Sequence, residues 1–258
     1  MRKAVILILS LSLLLCACGD SKTDVESLNA LTQAVASTNS EPRFSGQYMI
    51  EINFGKGVTL YYALGDLACD REEKKASVIF SQTYLGVSAN AENYVAHGKA
   101  ISVDNGSASE AQVDTDALFG KFPYCSIFDI PEKPALTVTE NTLGTSYSFV
   151  SGETERIFSA VIGDDIYELA TVLKQPQRDK TEYGEAQCVY TVKDGRVLGV
   201  RYEFDVKLFD TPAYVPGYSV PESDYTVELH IVAKLTYENF GDQVEIKEYN
   251  AKDLEISS

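Results

Sequence analysis

Two stretches near the end of the chain constrain its fold most. Leu198, Val200, Tyr202, Phe204, Val206 and Leu208 alternate with Gly199, Arg201, Glu203, Asp205 and Lys207. Tyr225, Val227, Leu229, Ile231, Ala233, Leu235 and Tyr237 alternate in the same way with mostly polar partners. Successive side chains of a strand point to opposite faces, so each run has one apolar and one wet face. Strands of this kind belong to antiparallel sheets. The apolar face must be covered by another layer.

The same period of two marks Tyr48, Ile50, Ile52 and Phe54, between Met49, Glu51 and Asn53. Further strands are expected over Val58–Cys69, Ala76–Leu85, Glu92–His97, Lys99–Asp104, Leu136–Glu140, Thr145–Val150 and Cys188–Val192. A last short strand is expected at Val244 and Ile246, while Asn105 to Thr115 reads as a polar loop. Asp194-Gly195 between two apolar runs signals a tight hairpin. Two segments carry the helical period instead. Val25, Leu28, Leu31 and Val35 share one face of a helix over Val25–Ser37. Phe158, Val161, Ile162, Ile166, Leu169, Ala170 and Leu173 form an apolar stripe within Glu153–Leu173, with a break at Gly163-Asp164-Asp165. Ala117 to Pro134 reads as a short helical turn and a covering loop. These segments are the available covers for the sheet.

The N-terminus predicts where the chain resides. Arg2 and Lys3 precede an apolar run from Ala4 to Leu15, which ends in Leu15-Cys16-Ala17-Cys18-Gly19. This is the pattern of a secretory signal with a lipobox, and the run is shorter than the roughly 20 residues of a membrane-spanning helix. The expected organisation is a signal over 1–17, a polar tether over 18–24 and a single domain over 25–258. Cys18 is the expected lipidation site, holding the protein on the extracytoplasmic face of a cell membrane by acyl chains. Loss of Arg2 and Lys3 with the signal takes the formal charge from −16 to −18. So acidic a chain, with no basic run, is a poor partner for nucleic acid. It is also repelled by anionic lipid, which leaves membrane attachment to the anchor.

The chemistry-bearing residues assemble into nothing catalytic. His97 and His230 are the only histidines, and neither has a metal-spaced partner. His230 falls on the wet face of its strand beside Glu228 and Lys234, and His97 falls in a turn before Gly98. No Gly-x-Ser-x-Gly nucleophile elbow occurs. Asp104-Asn105-Gly106 and Asp114-Thr115-Asp116 lack the spacing of a calcium loop. No enzyme activity, metal or cofactor is expected. Beyond Cys16 and Cys18, three cysteines remain: Cys69, Cys125 and Cys188. Outside the cytoplasm either one disulfide forms and one thiol stays free, or none form.

At residue level, Leu235-Thr236-Tyr237-Glu238-Asn239-Phe240-Gly241-Asp242-Gln243-Val244-Glu245-Ile246 and the turn Asp194-Gly195-Arg196 resemble the outer-membrane lipoprotein carrier and receptor superfamily. The element order is similar too, and extends to related lipid-binding lipoproteins of mycobacterial and Gram-positive envelopes. Lys247 and Glu248 stand where that pattern often has a Pro, and no basic pocket residue of the soluble carrier has a match. The resemblance implies a mainly β (α+β) fold: one curved antiparallel sheet, a half-barrel, covered by amphipathic helices. It also implies a concavity for a lipid or other apolar ligand, bound without catalysis. Tyr48, Ile50, Ile52, Phe54, Phe204, Leu229 and Ile231 are the expected wall residues. The alternative is a structural or protein-interaction module of the cell envelope, contacting a partner through loops such as Phe209–Asp224, where Tyr214 and Tyr218 lie.

Overall fold

A computed structural model describes residues 25–249 except 56, 105–106, 126–129, 133, 164–165, 167–180 and 210–225. The lipobox, the tether, Asp164-Asp165, the stripe residues Leu169, Ala170 and Leu173, and the loop with Tyr214 and Tyr218 lie outside the described residues.

The described strands form one twelve-stranded antiparallel sheet. They are β1 (Arg43–Phe54), β2 (Val58–Asp70), β3 (Lys75–Tyr84), β4 (Val87–Ala96), β5 (Lys99–Asp104), β6 (Ser107–Gln112), β7 (Thr137–Asn141), β8 (Gly144–Ser151), β9 (Glu182–Tyr183), β10 (Ala186–Lys193), β11 (Arg196–Phe209) and β12 (Thr226–Phe240). Their order is β6-β5-β4-β3-β2-β1-β12-β11-β10-β8-β7, with β9 paired to β11. The ends β6 and β7 do not meet, so the sheet stays open. Among the described residues three α-helices accompany it: α1 (Val25–Asn39), α2 (Thr115–Phe119) and α3 (Thr154–Val161).

Two expectations are corrected. Asn105–Thr115 is not all loop, because Ser107–Gln112 forms β6. Every β6 residue is exposed, so no apolar alternation exists for a sequence to display. Val244 and Ile246 are not a strand of the sheet. After a 3-10 turn at Gly241–Gln243 the chain leaves the ladder and runs as a strap over the outer face. There Lys247 N–H donates to Ser77 Oγ at 3.3 Å, and Tyr249 meets Tyr94 with ring centroids 5.9 Å apart. β4 also begins five residues earlier than Glu92, and α1 runs on to Asn39.

The register explains the core. Ile52 stands opposite Ile231 of β12, which stands opposite Phe204 of β11; Tyr202 in turn faces Cys188 of β10. Apolar residues therefore form rows across four strands on the inner face. Tyr190, Tyr202, Phe204, Ile52, Leu229 and Ile231 are all under 2–3% exposed there. Each buried side chain of this size is worth about 1.5–3 kcal/mol. α1 lays Leu31 and Ala34 on this face and ends at β11, where Thr38 Oγ accepts Val197 N–H at 2.8 Å. α3 contributes Ile157, Phe158 and Val161, and Phe158 meets Tyr183 of β9 at 5.4 Å. The segment after α2 adds Phe122 and Tyr124, tied to α3 by Phe122 N–H to Ala160 C=O. Asp114 caps α2 through the N–H groups of Asp116 and Ala117, which gives that acidic turn a structural role.

Candidate ligand-binding face

The seven expected wall residues all share the inner face. On β1, Tyr48, Ile50, Ile52 and Phe54 stand opposite Leu235, Ala233, Ile231 and Leu229 of β12, and Phe204 continues the Ile231 row on β11. Their exposure divides them. Tyr48, Ile52, Phe204, Leu229 and Ile231 are closed into the core, while Ile50 and Phe54 are only partly buried. A ligand reaches the first five only by displacing α1, α3 or the Phe119–Tyr124 segment.

The inner face continues beyond these covers. From Ile52 the row passes to Tyr61 of β2, then to Tyr84 of β3 and Val87 of β4. Tyr61, Phe80 and Tyr84 pack against the core yet stay partly exposed. Ala89 and Ala91 beyond them are also partly exposed. Val58, Leu85 and Val87 line the rim at 61, 45 and 73% exposure. In a chain with 38 acidic residues, no carboxylate occurs from Ile52 to Gly65 or from Phe80 to Ala91. The result is an aromatic half-trough beside a sealed core, with Asp104 of β5 the first carboxylate on the Phe80 and Ala91 row.

Gly65 shapes the boundary. A Cβ there would lie 2.6 Å from Phe80 Cβ and 2.8 Å from Tyr48 Cε1, so only glycine lets both rings approach β2. Tyr48 meets Phe122 edge-on at 6.5 Å. Burial, reinforced by Tyr61 and Tyr124, raises the Tyr48 phenol above its ordinary range. Burial lifts Tyr124 to about 12 and the Cys69 thiol to about 12. These groups stay neutral, so the face offers apolar area and uncharged hydroxyls, such as Tyr61 Oη donating to Gln82 Oε1 at 3.4 Å. Cys69, Cys125 and Cys188 are free thiols.

Tyr61, Phe80 and Tyr84 escaped the sequence reading because aromatics occupy both faces of β2, as Tyr61-Tyr62. A register shift between Ile52 and Asn53 also breaks the alternation. Counting outward through the Gly55–Gly57 turn pairs Ile52 with Leu60, and the shift is what makes Tyr61 its partner.

Other concavities mix apolar area with charged side chains. A cavity of about 600 Å³ under the C-terminal strap is lined by Ser45, Gln47, Asp66, Ser77, Glu238 and Glu245, a poor surface for acyl chains. His230 is where expected, on the wet face, with Nδ1 2.8 Å from Asp205 Oδ1. Among the described residues no cluster of three or more His, Cys, Asp or Glu is placed to hold a metal. No described helix is long and apolar enough to cross a membrane.

No family model matches the chain, and no curated protein matches it. Among solved structures, LprF from Mycobacterium bovis is similar at 11% identity and a TM-score of 0.43, over 87% of this chain and 97% of that one. A LolA superfamily protein from Nitrosomonas europaea is similar at 10% identity and 0.29, over 88% and 96%. A DUF1329 family protein from Desulfovibrio piger is similar at 8% identity and 0.27, over 86% and 92%. Scores this low carry no function across.

Proposed function

We propose that this protein is a lipoprotein held by acylated Cys18 on the extracytoplasmic face of a membrane, where it binds a lipid or other apolar ligand without catalysis. The observation that supports this reading most is the inner face running past its covers as an aromatic half-trough with no carboxylate from β2 to Ala91 of β4. Ile50, Phe54, Tyr61, Phe80 and Tyr84 are the contact residues. Tyr48, Ile52, Phe204, Leu229 and Ile231 form the rigid wall behind them. Binding is driven by removing acyl chain from water, at ~0.8 kcal/mol per CH₂. Neutral phenols and Gln82 satisfy the polar end of the ligand without charge.

The test is native mass spectrometry and lipid extraction of residues 18–258 carrying Cys18→Ser. One co-purifying lipid per chain, lost in Phe80→Asp and Tyr84→Asp proteins that still fold, is the expected result. A lipid-free protein that also takes up no fluorescent fatty acid refutes the reading.

A further inference from the structure

The wet face of the sheet carries a second ordered pattern, independent of the apolar trough. Register sorts its residues into rows across β8, β10, β11, β12 and β1. One row reads Ser146, Thr191, Gly199, Thr236, Gln47. The next reads Ser148, Val189, Arg201, Lys234, Met49, and the one after it carries Glu203 and Glu51 around Val232. Hydroxyls, cations and carboxylates thus follow one another down the face.

Arg201 and Lys234 are direct cross-strand partners. Like charges placed opposite each other destabilise a ladder, with Cβ atoms only about 5 Å apart. Glu203 pairs with Arg201 on the carboxylate side. On the hydroxyl side no carboxylate among the described residues lines the gap: Gly199 has no side chain, and a cavity of about 80 Å³ opens there. Ser146, Thr191, Thr236, Arg201 and Lys234 line it, with Asn141 and Leu143 of the β7–β8 turn as one wall. Arg201 Nε is buried and has no hydrogen-bond partner. Burial and the nearby Arg201 charge lower the Lys234 ammonium from its ordinary value. Glu203 and Glu51 act on the two cations from the carboxylate side, and an anion over Gly199 would meet them from the other side.

We infer that the gap over Gly199 is an oxyanion site, taking a phosphate group between the Arg201 and Lys234 cations and the Ser146, Thr191 and Thr236 hydroxyls. Two cations converging with neutral hydroxyl donors suit a tetrahedral anion. At about 80 Å³ the cavity is too small for an acyl chain, although Val189 and Leu235 share its lining. Free phosphate, or a phosphate ester, and a lipid headgroup share this chemistry.

The experiment uses residues 18–258 with Cys18→Ser and titrates inorganic phosphate by calorimetry at low ionic strength. Gly199→Val closes the gap while leaving every charge in place, and its Cβ would meet only Leu235 O, at 3.6 Å. Gly199→Val and Arg201→Gln are each expected to weaken phosphate by about tenfold or more. Lys99→Gln, which removes one distant charge, is expected to leave it within about twofold. Co-sedimentation with phosphatidylcholine vesicles, with and without phosphatidic acid, separates the sources. Phosphatidic-acid-dependent binding lost in Gly199→Val identifies a headgroup; phosphate binding without vesicle binding identifies a soluble phosphate. Absence of phosphate binding, or binding that survives Gly199→Val, overturns the inference whatever becomes of the apolar trough.

Discussion

The two halves of the sheet are built from the same alternation but differ in cover. β1, β12, β11 and β10 lie under α1, α3 and the Phe119–Tyr124 segment, and their inner side chains vanish from solvent. β3 to β6 extend beyond those covers, and their inner residues past Val78 and Val95 remain partly exposed. Strand pattern decides which side chains share a face. Only the second layer decides whether that face becomes core or surface.

The difference is most easily broken by truncation. Phe204→Ala in the covered half is expected to cost about 3–5 kcal/mol, read as a shift in urea midpoint. Tyr84→Ala in the open half, where no rigid cavity forms, is expected to cost about 1 kcal/mol. Equal losses would mean the open half is as tightly packed as the covered one.

A smaller effect tests how the cover is fastened. Thr38→Val removes the acceptor for the buried Val197 N–H and is expected to cost about 1–3 kcal/mol. Thr38→Ser, which keeps the hydroxyl, should lose much less by the same unfolding curves.

A pH-dependent effect sharpens the picture at the β2 end of the covered half. Burial by itself pushes the Asp70 carboxyl up, but the Glu73 N–H, Arg43 and the Glu72 N–H together hold it below its ordinary 3.8. A depressed carboxyl stabilises the fold fully above its unfolded value, and that stability is lost as pH falls through the folded value. Thermal melts should therefore show an acid loss, below the ordinary aspartate range, that Asp70→Asn flattens.

Thiol alkylation gives the smallest signal. Cys125, half-buried, should be modified in the native protein before Cys69 and Cys188, which are fully buried. Modification of Cys69 first would place an opening beneath Tyr124.

Much of the fold was legible because period two and period 3.6 report side-chain direction. The β11 and β12 alternation, the turn at Asp194-Gly195 (φ 51° and 75°) and the first helix all formed where their patterns fell. β6 was not legible, because a strand exposed on both faces has no apolar side to mark. The strap at Val244–Tyr249 looked like a strand because Val-x-Ile alternates, yet it leaves the ladder after Phe240 and lies across the outer face. For the candidate site, the sequence identified the shared face but not its cover, so sealed Ile52 and partly open Ile50 looked alike. The oxyanion gap was invisible for a related reason: Gly199 matters only once register places it between Thr191 and Thr236.

The clasp between Thr38 and Val197 joins residues 159 apart in sequence. A chain pulled from its N-terminus takes load through α1, which passes it along the backbone into β1 and, through this contact and the Leu31 and Ala34 packing, into the β10–β11 hairpin. Tension applied there would therefore reach the middle of the sheet before either free edge. The first element to yield would be the lid over the core, leaving the ladder beneath it intact.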